Sequence, residues 1–125
     1  MRLAVPAAAI GLSMAVLPAA AFAHPELLSA TPAAKSAVTR PTSIVLNFSE
    51  DLVAPLSGFD LVMTGMPGMA DHKPMPIKGI VARAKGRAVT AALPRPLPTG
   101  TYILTWHAAG ADQHRIEGSY GFTVR

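Results

Sequence analysis

The segment Met63–Pro76, MTGMPGMADHKPMP, holds four of the chain's six methionines and one of its four histidines. Thioether sulfur is a soft, neutral donor, and alongside an imidazole it suits Cu(I), whereas hard ions such as Mg²⁺ or Ca²⁺ gain nothing from it. Met63, Met66, Met69, His72 and Met75 are therefore candidate Cu(I) ligands. Neutral donors leave the charge of the bound ion uncompensated, which again favours a monocation. Gly65, Pro67, Gly68, Pro74 and Pro76 exclude a stable helix and let the chain curl so that several sulfurs converge. The competing explanation is structural: methionine also makes adaptable packing contacts, and Met63 falls at an inward strand position where it can be core.

A second set of donors depends on processing. Arg2 supplies a positive start, Leu3 to Leu17 is almost continuously apolar, and Ala21 to Ala23 (AFA) has the small residues of a cleavage site. The apolar run is about 15 residues, short of the roughly 20 that span a bilayer, and it contains Pro6 and Gly11. Residues 1–23 are thus expected to be a cleaved signal peptide and residues 24–125 one exported domain. Cleavage would make His24 the first residue, with an α-amine and an imidazole able to hold one ion together, as Cu(II) prefers nitrogen and oxygen donors in a tetragonal site. Pro25 has no amide N–H to deprotonate, so further ligands must come from elsewhere. Asp112 and His114 in ADQH would point to one side of an extended segment. A lone Asp-x-His is ordinarily a surface hydrogen-bonded pair; its combination with His24 points to a metal. His107 is expected to face solvent beside an inward Trp106, and Glu50 to lie at a strand end. Either residue could stand near the Cu(II) site, although neither spacing demands it.

Composition removes other classes. With no cysteine, there is neither a disulfide framework nor the thiolate that a blue-copper electron carrier requires. The formal charge of +4 drops by one when Arg2 leaves with the leader, and it is spread without runs of like sign, so there is no nucleic-acid footprint. A domain of this size can bury a single modest core without staples.

The elements that must position these donors read as strands. Short alternating runs recur between turn residues, and no 3.6-residue apolar period lasts long before a proline or glycine. Ile44, Leu46 and Phe48 share one face, as do Phe59, Leu61 and Met63, then Val89, Ala91 and Leu93. Tyr102, Leu104 and Trp106 are expected inward, followed by Tyr120, Phe122 and Val124. Further strands are expected near Glu26 to Ala30 and near Ile77 to Ala82. The total is about seven, the number of an all-β, two-sheet Greek-key sandwich. The connection from Thr64 to Pro76, about a dozen residues, is long enough to be functional.

HPELLSATP, LNFSEDLV, LVMTGMPGM with HKPMPIK, TGTYILTWHA and ADQHRIEGSYGFTV together resemble the copper resistance protein CopC family, in order and over nearly all of residues 24–125. The resemblance implies a periplasmic seven-stranded β-sandwich or barrel, cupredoxin-like or immunoglobulin-like, that carries copper for homeostasis and resistance without catalysis. It also implies a Cu(II) site at His24, Asp112 and His114, with Glu50 near the ion in some members. A Cu(I) site is implied among Met63, Met66, Met69, His72 and Met75, and a membrane copper transporter (CopD-like) as partner. Two features depart from the family: Arg115 follows His114 where proline is usual, and the methionine loop is one residue longer. The alternatives are a metal-free immunoglobulin-like interaction module and a histidine-brace copper monooxygenase. Against the latter, Asp112 would occupy the position that O₂ needs open, and the only tryptophan is assigned to the core.

Overall fold

The computed structural model describes residues 24–70 and 73–125, together with Ala4 and Gly11. The expected signal peptide and His72 therefore lie outside the described residues, apart from those two isolated positions. One sheet contains β1 (Leu27–Thr31), β3 (Ser43–Phe48), β7 (Ala88–Ala92) and β6 (Arg83–Lys85), in that spatial order. The other contains β2 (Ala37–Val38), β9 (Arg115–Val124), β8 (Gly100–Ala109), β4 (Gly58–Gly65) and β5 (Met75–Pro76). Every pairing is antiparallel except β2 with β9. Setting aside the two-residue strands β2 and β5, the described residues give seven strands, the expected number, with β6 standing just after the segment where one was expected. No helix among them is long and apolar enough to cross a membrane.

The period-2 pattern of the sequence is the packing pattern of the core, because alternate side chains of a strand point to one face of its sheet. Ile44, Leu46 and Phe48 from β3 and Val89 and Ala91 from β7 meet Phe59, Leu61 and Met63 from β4. Tyr102 and Leu104 from β8 and Phe122 and Val124 from β9 complete the layer between the sheets. Tyr102 stacks on Phe122 with ring centroids 5.4 Å apart, and Phe48 meets Trp106 edge-on at 5.2 Å. Each large apolar side chain buried in this way contributes about 1.5–3 kcal/mol.

Three expectations need correction. Residues 77–82 form no strand: Pro76 ends the pairing with β4, Gly79 takes a φ of 83°, and Ile77 and Ile80 pack against the core from an irregular segment. Trp106 and Tyr120 are only half-buried, at the margin of the core. The indole lies flat over Gly118 of β9, where an added Cβ would sit 2.3 Å from a ring carbon. The Met-containing connection is also shorter than expected, because β4 runs on to Gly65 and β5 starts at Met75. Between them Met66 and Met69 exchange two backbone hydrogen bonds of 2.9 Å, closing a tight turn in which Gly68 has a φ of 82°.

Tyr102 in the core and Tyr120 at its margin both donate to proline carbonyls, Tyr102 to Pro98 at 2.6 Å and Tyr120 to Pro32 at 2.9 Å. Burial disfavours their phenolates and pushes both pKa values up to about 12.

Candidate metal centre

The chain enters β1 through a clamp. The Pro25 side chain is fully buried, and the amide of Glu26 donates to Ser49 Oγ while the amide of Ser49 donates to the Glu26 carbonyl, both at 2.9 Å. His24 is thereby held at one end of the sandwich with its imidazole exposed.

Across from it lies the β8–β9 hairpin. β8 ends at Ala109 and β9 starts at Arg115, so Asp112 and His114 sit in the loop between them. They do not belong to an extended segment, as the sequence suggested. Gln113 adopts a left-handed φ of 61°, its amide donates to the Gly110 carbonyl at 2.9 Å, and the His114 amide donates to Asp112 Oδ1 at 3.0 Å. The turn achieves by curvature what extension would have done by alternation: both side chains face His24. Asp112 Oδ2 is 3.7 Å from His24 Nδ1, and the two imidazoles meet edge-on with centroids 4.9 Å apart.

One donor atom from each of His24, Asp112 and His114 lies within 4.8 Å of the other two. Ligands bound at about 2.0–2.1 Å stand at most about 4.2 Å apart, and closer when adjacent, so these exposed side chains would meet on one ion by movements of about an ångström or two. Two imidazole nitrogens and a carboxylate match the preferences of a borderline divalent ion such as Cu(II). Among the described residues this is the one His/Asp/Glu group of this kind.

Glu50 follows β3 on the turn that Ser49 anchors, at the same end of the sandwich, and is not a member of the converging group. His107 is not a member either. It lies on the outer face of its sheet but is half-buried, with its ring over Gly58; a Cβ there would be 3.2 Å from His107 Nε2. Burial, then the Arg115 charge, lowers its pKa, against a smaller opposing pull from Asp60 and Glu117. Arg115 itself donates to Glu117 at 3.0 Å. The buried Pro25, the Glu26–Ser49 clamp and the left-handed Gln113 were not identified from the sequence. None has a local signature stronger than a proline beside the histidine.

The methionines occupy the opposite end. Met63 is 5 % exposed and belongs to the core, whereas Met66, Met69 and Met75 are 37 %, 55 % and 49 % exposed. Met75 is the cross-strand partner of Met63, and Met66 that of Met69. Gly100, at the start of β8, packs against Met63 and the Gly65 backbone, and Ala109, at its other end, pairs with Arg115 beside His114. A ten-residue strand spans roughly 30 Å, which sets the distance between the two ends.

Comparison with known proteins agrees with this architecture. Residues 27–125 match the CopC domain, a match that begins three residues after His24. Copper resistance protein C of Escherichia coli is 50 % identical over 106 residues, covering 84 % of each chain. Its counterpart in Pseudomonas syringae pv. tomato is 46 % identical over 110 residues, 86 % of this chain and 85 % of the relative. The crystal structure of PcoC, a methionine-rich copper resistance protein from Escherichia coli, superposes with a TM-score of 0.73 at 45 % identity, covering 82 % of this chain and 100 % of PcoC. CopC from Methylosinus trichosporium OB3b gives 0.64 at 28 % identity, over 81 % and 93 % of the two chains. The two-sheet fold and the sequence agree over the same span, and the chain belongs to the CopC family.

Proposed function

We propose that this chain is an exported copper carrier that binds Cu(II) at His24, Asp112 and His114 and Cu(I) on its methionine loop. The observation that carries this reading is the convergence of those three side chains from the start of the domain and from a hairpin near its end. The family relationship supports it, since relatives that match over most of their length are named copper resistance proteins.

Copper is cargo here, and the residues supply coordination rather than catalysis. Removal of residues 1–23 in the periplasm frees the His24 amine, which joins the imidazole on one ion; Pro25 contributes no amide nitrogen, so Asp112 and His114 complete a four-donor set. Glu50, on the adjoining turn, lies outside that set. At the other end the exposed Met66, Met69 and Met75 form the soft set with His72, while Met63 supports the loop from the core. A membrane copper transporter of the CopD kind is the partner that would take up the ion.

Competitive copper titrations in both oxidation states, on protein beginning at His24 and on protein retaining an extra residue before it, test the reading. The extension should weaken Cu(II) binding and spare Cu(I). Equal Cu(II) affinity in the two proteins would remove the amine from the site, and loss of both ions together would sink the two-site division.

A further inference from the structure

The two ends of the sandwich differ in charge as well as in donor chemistry. Glu26, Glu50, Asp51, Asp112 and Glu117 cluster toward the His24 end, where Arg87 lies 3.6 Å from Asp51 and Arg115 lies 3.0 Å from Glu117. Asp60 is mid-strand, opposite Thr105, and Asp71 lies outside the described residues.

The methionine end is ringed by cations. Arg125 lines a shallow apolar hollow of about 310 Å³ together with Met66, Pro67 and Ala70. Its amide donates to the Val38 carbonyl at 2.9 Å, which brings Arg40, two residues further on, to the same end. The carbonyl of Pro41 accepts from Leu97, placing Arg40 beside the segment that carries Arg95. Arg95 and Lys78 then share a second hollow of about 450 Å³ with Ile77, which directly follows Met75 and Pro76 of β5. The ring returns in this way to the methionines. Arg40, Lys78, Arg95 and Arg125 are all exposed, and none has a carboxylate within ion-pair distance among the described residues.

We propose that this end is the docking face for a protein partner whose surface presents carboxylates around an apolar or sulfur-bearing centre. The proposal rests on the copper reading for its purpose, the hand-over of Cu(I), but the docking itself needs no metal. Four cations with no carboxylate partner among the described residues lower the local concentration of any free cation and raise that of an acidic surface, steering it onto the exposed thioethers. An anionic lipid surface would feel the same charge, but interfacial binding also needs a buried apolar face rich in Trp, Phe or Leu. No described aromatic side chain is exposed. Cations around exposed methionines, without the exposed Trp, Phe or Leu of an interfacial anchor beside them, favour the protein partner.

The test uses the metal-free domain and follows its backbone amides by NMR. Three probes are titrated: a peptide of alternating aspartate and methionine, the same peptide with asparagine for aspartate, and phosphatidylglycerol–phosphatidylcholine vesicles. The acidic peptide should shift amides around Met66, Ala70, Arg40, Arg95 and Arg125, less so as salt is raised. Arg40→Glu, Arg95→Glu and Arg125→Glu together should weaken it roughly tenfold, and Arg83→Glu with Lys85→Glu on the β6 edge should not. Binding of the asparagine peptide with equal strength, no binding of the acidic one, or shifts centred on β6 would overturn the proposal. Vesicle binding that exceeds peptide binding would replace the protein partner with a membrane. Cu(I) titration of a Met66→Leu, Met69→Leu, Met75→Leu variant separates the two readings: unchanged Cu(I) affinity defeats the soft-site assignment and leaves the peptide result standing.

Discussion

Asp112 divides its work between two oxygens: Oδ1 accepts from the His114 amide and holds the loop, and Oδ2 faces His24. Asp112→Asn keeps an oxygen for the amide and removes the charge, so Cu(II) affinity should drop by roughly ten- to a hundredfold while the hairpin stays ordered. Asp112→Ala removes both functions and should lose more; competitive titration with an EPR readout distinguishes them, and equal losses would mean that loop order is irrelevant. Outside the site, His107 and the two tyrosines make stability depend on pH in opposite directions. The His107 pKa is lowered from its ordinary 6.5, so the unfolded chain binds the proton first. Its contribution is constant above 6.5 and falls as acidification passes through that value toward the lower, folded one. For Tyr102 and Tyr120 the folded pKa is raised from 10.0 to about 12; stability holds below 10 and is lost as pH rises toward 12. Urea unfolding across pH should show both limbs. His107→Gln should flatten the acidic one, and a wild-type slope in that variant would assign it to other groups.

At the scale of elements, the β8–β9 ribbon fixes the hairpin that carries Asp112 and His114 together with the tryptophan. Gly118 is where the Trp106 ring crosses β9, so Gly118→Ala forces the indole out and should cost about 1–3 kcal/mol. Trp106 fluorescence and urea midpoints would register it, and an unchanged midpoint would show that the ring relocates freely. This contact explains part of what the sequence could and could not convey. Strand alternation marked Ile44, Leu46, Phe48, Leu61, Tyr102, Leu104 and Phe122 as core, since period 2 is a local property that burial on one face imposes. The half-exposure of Trp106 depends on a glycine one strand away, and pairing between strands leaves no local trace. The same holds for residues 77–82, whose apolar pattern reads as a strand but which leave the sheet after the Ile77 amide bonds the Leu61 carbonyl of β4, with Gly79 in left-handed backbone. At the candidate site, residue types pointed to His24, Asp112 and His114, and the fold brings these three together. The turn that brings Asp112 and His114 together was not legible, because a glutamine at a φ of 61° is not a residue that announces left-handed backbone.

For the whole molecule, the fold divides the methionines between core and surface. Met63→Ala should cost about 2–5 kcal/mol, as expected for emptying a core position, whereas leucine at Met66, Met69 and Met75 should change stability by no more than about 0.5 kcal/mol. Thermal and urea unfolding of the metal-free variants check both values, and a large loss from the leucine substitutions would return those side chains to the core. The length of β8 has a further consequence. On the proposed reading, an ion at His24 and an ion on the methionine loop would stand roughly 30 Å apart, across a core whose buried members are apolar apart from the thioether of Met63 and the hydroxyl of Tyr102, which is engaged with Pro98. Copper held in this way would have no chain of ligands leading through the molecule from one end to the other. A change of oxidation state would then have to be followed by departure, and each end would serve as an address: which pole of the protein a partner visits would determine which form of copper it meets.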